Sequence, residues 1–372
     1  MLDLATDMVS SWIAEGIIPG SALLVSRGGE LLIERYWGVA DRKRGVPATD
    51  STLWSIASIT KPVTVAAMMA CVDRGLLEVD TPVHDVLPEF ERRDVTLRHL
   101  VTHTSGLAGF SRDNLALRKR HAPIDDFIAS FIKEEIHFDP GRWHLYSSVG
   151  LGLVAECVGR SLTKGERAMA AYEKFTMQLL RDMGATDFVF RPDEAQQDRI
   201  AWVEETGQEG LDWEIGNSRY FRSLGFPWGG LYMRARDVLT FMQSFLPGGG
   251  TDALSRKSRD AMIEQQVAPA DAPADIAPQQ RDVTWDPNAP LRPHVPWGLG
   301  WQVKGDQRND FMGSRAHATA FGHYGASGTL AWADPEAEVA AVLLTNRAWQ
   351  SWWPVHEGRA ARLADTIMSS LG

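Results

Sequence analysis

Little in this chain marks it for a membrane, a nucleic acid or a metal. No stretch reaches the 18 or so uncharged apolar residues that a membrane span requires. Lysine and arginine number 38 against 48 aspartates and glutamates, leaving a formal net charge of -10 and a pI near 5.5. Phosphate backbones and anionic membranes are bound by clustered basic residues, so neither is an expected partner. The one basic cluster, Arg118-Lys119-Arg120, reads as a solvated helix face. Cysteine is nearly absent, and Cys71 and Cys157 both sit inside apolar helical patterns, where buried free thiols are expected. There is no Cys-x-x-Cys pair, and His317 with His323 makes a poor ligand pair, so neither metal nor organic cofactor is expected. The Gly-x-Ser-x-Gly elbow of α/β-hydrolases and the glycine loop of phosphate chemistry are missing too. No fixed-period repeat suggests a solenoid or propeller. Met1 to Asp7 carries acid where a secretory leader would carry base, so the chain as given reads as cytoplasmic.

What is present is an ordinary globular composition, 44% hydrophobic and 23% charged over 372 residues, enough for a sizeable core in two lobes. Asp3 to Glu15 has helical spacing. Two apolar runs, Gly20 to Ser26 and Leu31 to Trp37, surround a Gly-Gly turn and predict a β-hairpin. A long apolar segment from Ser58 to Leu77 predicts a helix, and Ile124 to about Phe245 is mostly helical with loops. From Pro247 to Pro296 the character changes, with seven prolines between Pro269 and Pro296, too many for helix or central strand. Such a stretch suits a lid or binding loop. Strand patterns return at Leu299 to Val303, Thr329 to Ala333 and Glu338 to Leu344, and a last helix runs from about Val355 to Leu371. Strands at both chain ends with helices between predict an α/β (α+β) fold. In it a central antiparallel sheet, flanked by helices, is assembled from residues 1–75 and 297–372, and a mainly helical domain at 76–296 contains the Pro/Gly-rich loop at 247–296. The active site is expected between the two.

Ser58-Ile59-Thr60-Lys61 places a hydroxyl and an amine three residues apart at a helix start. On a helix such residues share a face, so the amine can hold the hydroxyl proton. The positive end of the helix dipole favours an alkoxide there, and Pro62 fits the first turn, where a missing N–H loses no partner. Tyr146-Ser147-Ser148 precedes another helix, from a loop that can aim a phenol into a cleft. A phenol shuttles protons usefully beside a cation, and Lys61 is the candidate. Gly322-His323-Tyr324-Gly325-Ala326 precedes the strand at Thr329. Its glycines allow a substrate carbonyl close to the backbone, and an N–H there can complete an oxyanion hole with that of Ser58. His103, between Thr102 and Thr104, reads as a turn organiser.

In type, order and separation these three stretches resemble the motifs of the serine β-lactamase and penicillin-binding-protein superfamily, in particular its class C branch. Leu100 to Leu107, Gly229-Gly230-Leu231-Tyr232 with Arg236-Asp237, Gly298 to Trp301 and Leu343 to Arg347 support the likeness, which covers nearly the whole chain. The resemblance implies a β-lactamase/transpeptidase-like fold, Ser58 as acylated nucleophile, Lys61 and Tyr146 as general base and acid, and an oxyanion hole from the N–H groups of Ser58 and Ala326. It also implies substrate contacts from Ser148, His323, Tyr324, Gly325, Trp228 and Trp349. Trp297, Trp301, Trp352 and Trp353 lie in segments resembling the same cleft rim.

The chain departs from that pattern in two places. Class C enzymes have Tyr-x-Asn where this chain has Tyr146-Ser147-Ser148, and Lys-Thr-Gly where it has His323-Tyr324-Gly325. Losing the amide and the ammonium disfavours efficient lactam hydrolysis and resembles family VIII carboxylesterases and D-amino-acid amidases. An aromatic, weakly charged pocket favours small carboxylic esters. The expected partner is thus a small-molecule ester or amide. The alternatives are an amidase or D-amino-acid peptidase, a weak β-lactamase, and a catalytically silent penicillin-binding-like sensor.

Overall fold

The computed structural model describes residues 2–164, 167–267, 296–306, 311–349 and 357–372. The Pro-rich stretch up to residue 295, together with Trp352 and Trp353, lies outside the described residues. Gly28 and Gly29 take φ of 54° and 81°, the left-handed pair that a tight hairpin turn requires, and they join β1 (Gly20–Arg27) to β2 (Glu30–Asp41) as predicted. The remaining strands are β3 (Val46–Pro47), β4 (Trp54–Ser55), β5 (Phe188–Val189), β6 (Tyr232–Met233), β7 (Gln302–Val303), β8 (Phe321–Gly325), β9 (Thr329–Asp334) and β10 (Val339–Thr345). A seven-stranded sheet has the order β3-β2-β1-β10-β9-β8-β7 and is antiparallel at every pairing. The two chain ends therefore meet at β1 against β10, where Leu23 pairs with Leu343. A small sheet of order β4-β6-β5, absent from the sequence expectations, ties the segment before Ser58 to the helical part.

Strand periodicity divides the interior into two cores. Ala22 and Leu24 of β1, Val342 and Leu344 of β10, Ala331 of β9 and Phe321 of β8 point to the layer shared with the inner helices. Leu23 and Val25, Leu343, Leu330 and Trp332 point to the outer layer, against the helices Asp3–Ala14 and Glu357–Leu371. Every residue of β9 and β10 is buried, as strands covered on both faces require.

The helix carrying Lys61 runs Thr60–Asp73, ending four residues before the periodicity suggests and starting two residues later, because Ala57–Ile59 closes as a 3-10 turn before it. Residues Thr60 to Cys71 are all buried, so it is the central helix of the inner core. Its β-branched Val63, Thr64, Val65 and Val72 disfavour a helix by up to roughly 0.7 kcal/mol each. Burial outweighs this, at about 1.5–3 kcal/mol for each fully buried large apolar side chain, and Val63, Val65 and Met68 are all 0% exposed. Cys71 and Cys157 are buried free thiols. Arg118 departs from expectation. It is buried, with Nε donating to Asn114 Oδ1 at 3.2 Å and its guanidinium 5.8 Å from the rings of Phe221 and Phe226, while Lys119 and Arg120 remain exposed. No helix among the described residues is long and apolar enough to cross a membrane.

Candidate active site

Ser58 sits half-buried in the 3-10 turn, directly after Ala57, whose φ of 45° is unusual for a residue with a side chain. The strain has a visible origin. β8 ends against this turn, and a methyl group on Gly325 would lie 3.0 Å from Ala57 Cβ. Ser327 and Thr329 donate to the carbonyls of Ser55 and Ile56. These contacts clamp the turn from the sheet side and set Ala326, half-buried, on the same cavity wall as Ala57, the residue before Ser58. A small cavity of about 40 Å³ opens there, walled by Ala57, Ala326, Gly229 and Val203. A larger cavity of about 440 Å³ lies on the helical layer among Ile128, Glu156, Arg160 and Met169, and none of the predicted site residues lines it.

Lys61 Nζ lies 3.0 Å from Ser58 Oγ and 2.9 Å from the carbonyl of Trp228, with the side chain 1% exposed. The second contact is a grip that residue spacing could not foresee. The Pro227-Trp228 backbone is bound to the same helix a turn on, where Thr64 Oγ1 donates to Pro227 O. The Trp228 ring, expected in the substrate pocket, instead packs in the core 4.4 Å from Phe226 and 5.0 Å from Phe131. Its carbonyl, rather than its indole, reaches the site.

Tyr146 arrives from the loop before the helix Ser148–Thr163, with its ring centroid 4.7 Å from Lys61 Nζ. His103 holds that loop on both sides of the tyrosine. Its carbonyl accepts from Leu145 N at 2.7 Å, and its Nδ1 accepts from Ser147 N at 3.1 Å. The His103 backbone is left-handed, φ 58°, a conformation in which histidine is enriched, consistent with the turn-organising role expected for it. Burial, then the neighbouring His144, Lys61 and His323, push its pKa well below the usual histidine value. A neutral ring is what the contact requires, because Nδ1 must keep its lone pair to accept from Ser147. Ser147 Oγ caps the helix by accepting from Gly150 N at 3.0 Å, and Ser148 is buried with its N–H donated to Gly109 O.

His323 lies on the inner face of β8 with Phe321, 3% exposed, and its Nε2 is 3.3 Å from the Tyr146 hydroxyl. Tyr324, one residue on, falls on the opposite face by strand alternation, where its ring meets Phe311 at 5.5 Å and Trp349 at 6.0 Å. It therefore does not share the face of His323. Trp349 is half-buried and donates its N–H to Ala326 O at 3.0 Å. Among the tryptophans assigned to the rim, Trp301 is a core residue against Phe241 and Phe245. Trp297 lies within 6 Å of four site rings, with centroids 4.9 Å from His103, 5.4 Å from His144, 5.7 Å from His323 and 5.9 Å from Tyr146.

His99 and His103 have the His-x-x-x-His spacing of paired metal ligands, which the sequence expectations passed over. The helix Leu97–Val101 ends between them and their rings serve separate turns. His99 Nδ1 accepts from Thr96 N at 3.2 Å, while that of His103 accepts from Ser147. Among the described residues no group of three or more potential ligands is assembled.

Comparison with known proteins bears on the family and the fold. A family model described as Beta-lactamase matches residues 6–351. Esterase EstB of Burkholderia gladioli is 31% identical over 289 residues, 66% of this chain and 71% of that protein. Penicillin-binding protein 4 of Amycolatopsis lactamdurans is 31% identical over 353 residues, 88% of this chain and 81% of that one. A crystal structure of a family VIII carboxylesterase superposes with a TM-score of 0.78 over 99% of this chain and 96% of the other, at 19% identity, a likeness of fold.

Proposed function

The chain belongs to the beta-lactamase family, and from that premise we propose that it is a serine hydrolase cleaving small, uncharged carboxylic esters through an acyl-enzyme on Ser58. The observation that carries this reading is the 3.0 Å contact between Lys61 Nζ and Ser58 Oγ, made by an amine that also lies 2.9 Å from the Trp228 carbonyl. A neutral amine held in this way gives one N–H to Trp228 O and turns its lone pair to the serine hydroxyl. Ser58 Oγ attacks the ester carbonyl while Lys61 takes its proton. The oxyanion is met by the N–H groups of Ser58 and Ala326, and fixed donors of this kind each supply roughly 2.7–4 kcal/mol of transition-state stabilisation. Tyr146 delivers a proton to the departing alkoxide, and water then enters by the same route to release the acid.

The preference for uncharged esters rests on His323 and Ser148, which stand where a lactamase would have a fixed ammonium and an amide. A neutral imidazole offers a substrate carboxylate no permanent charge. The second reading, an amidase or D-amino-acid peptidase, draws on the long alignment with penicillin-binding protein 4. A fluorophosphonate probe tests the nucleophile: stoichiometric labelling abolished in Ser58→Ala is expected, and an unlabelled wild type would favour a silent binding protein. Turnover of p-nitrophenyl butyrate, a D-alanyl anilide and nitrocefin then ranks the substrates. The butyrate is expected to lead in kcat/KM, and nitrocefin leading by orders of magnitude would overturn the ester reading.

A further inference from the structure

We propose that His323 is a positioning residue that stores the proton removed from Ser58, receiving it through Tyr146, and that its tautomer is set by the carbonyl of the residue after it. This rests on the roles given above to Ser58, Lys61 and Tyr146. His323 Nδ1 lies 2.8 Å from Tyr324 O. A carbonyl oxygen only accepts, so Nδ1 carries the hydrogen. A neutral imidazole has one N–H, so Nε2 is left with its lone pair, aimed at the Tyr146 hydroxyl 3.3 Å away. The phenol is therefore the donor in that bond. Its O–H points at His323, and the Lys61 amine stands 4.7 Å from the centroid of the phenol ring.

This is the reverse of what a lysine at the same position would do. An ammonium has three donors and no acceptor, so it would donate to the phenol oxygen and could not take its proton. The imidazole is held by its surroundings. The ring is buried, Trp297 meets it edge-on at 90°, and β8 fixes its backbone with His323 opposite Ala331. Among the described residues, the titratable groups around it include Tyr146 from the loop before Ser148–Thr163, His103 from the turn after Leu97–Val101, Lys61 from the central helix, and His144. Of the three bases, His103 is kept neutral by burial and by the other basic groups.

The proton inventory balances. In acylation the Ser58 O–H bond breaks as the Oγ–acyl bond forms, and the proton passes to Lys61. Lys61 gives a proton to the Tyr146 oxygen as the phenol's own proton moves to His323 Nε2, leaving an imidazolium and a neutral amine. When the bond to the leaving alkoxide breaks, Tyr146 protonates the alkoxide and recovers its proton from His323, and the imidazole is neutral again. Deacylation repeats the cycle with water in place of the serine hydroxyl. A His323 protonated beforehand has no place for the incoming proton, so rate is lost on the acid side.

Two measurements on the full chain decide the matter. Long-range ¹H–¹⁵N spectra of the wild type, with the His323 signal assigned by its loss in His323→Gln, are expected to show Nδ1 protonated and Nε2 bare near neutral pH. The opposite tautomer overturns the proposal without reference to any variant's activity. The pH profile of p-nitrophenyl butyrate hydrolysis is expected to show an acid limb in the imidazole range, near pH 6–7. His323→Gln keeps a hydrogen-bonding group beside Tyr146 but cannot store a proton. It is expected to lower kcat roughly ten- to a hundredfold, at the low end of acid–base effects, with KM within about threefold and the limb abolished. An active wild type, labelled at Ser58, whose His323→Gln variant keeps the same limb and kcat overturns this inference alone. Absence of both labelling and turnover in the wild type overturns the hydrolase reading itself.

Discussion

A methyl group added to Gly325 would stand 2.5 Å from the carbonyl oxygen of Ile56, two residues before Ser58. That proximity is what brings the end of β8, and with it the Ala326 N–H, against the serine turn. The obstructing atom is backbone and cannot rotate away.

Gly325→Ala is therefore expected to push the end of β8 off the Ser58 turn. Overpacking of this kind costs about 1–3 kcal/mol, which appears as a lowered Tm. With Ala326 N–H in its proposed role as oxyanion donor, displacing it is expected to lower kcat by roughly 10²–10³. Thermal unfolding followed beside steady-state kinetics checks both, and wild-type values of Tm and kcat would show that the strand end and the serine turn are not coupled.

Lys61→Met keeps the volume of a side chain that is 1% exposed while removing its amine. Trp228 O then loses a donor, which costs about 1–3 kcal/mol for a buried acceptor. Ser58 loses its proposed base, with an expected fall in kcat of roughly 10²–10⁴. The two effects are separable, since denaturant unfolding reports the first and single-turnover acylation the second. Full acylation rates in Lys61→Met would remove the amine from the mechanism.

Tyr146→Phe retains the ring contacts with His103 and Trp297 at 4.5 Å and 5.9 Å but deletes the hydroxyl that meets His323. Stability should be nearly unchanged and kcat lower by roughly 10²–10⁴. Equal kcat in the two proteins would take the phenol out of the proton path.

His103 predicts a pH dependence of stability. Its folded pKa lies below the unfolded value of 6.5, so between those two values the unfolded chain binds a proton that the native chain refuses. The contribution is intact above about pH 6.5 and is lost as pH falls toward the folded pKa. Tm should decline on acidification in that window. His103→Asn, whose carbonyl can accept from Ser147 N but does not titrate, should flatten the decline. An unchanged slope would assign it to other histidines, of which His99 and His137 are also held low by burial.

Much of this protein follows from local pattern. Alternating apolar residues and a Gly-Gly turn are enough for the β1–β2 hairpin, because side-chain period and left-handed φ are properties of neighbouring residues. Ser58 and Lys61 meet because three residues span nearly one helical turn, and no distant contact is needed to bring them together. The phase of a buried strand is another matter. Phe321 to Gly325 reads equally well with either face inward, and only the packing of inner helices against one side of the sheet turns His323 toward Tyr146 and sends Tyr324 to the outer core. Likewise the resemblance placed the Trp228 indole in the pocket, yet its ring packs against Phe131 and Phe226, and its backbone carbonyl is the atom that meets Lys61. The motif residues and their order were thus decided by the sequence alone. Which atoms of them face one another was decided by the tertiary structure, because burial and hydrogen-bond satisfaction depend on partners far away along the chain.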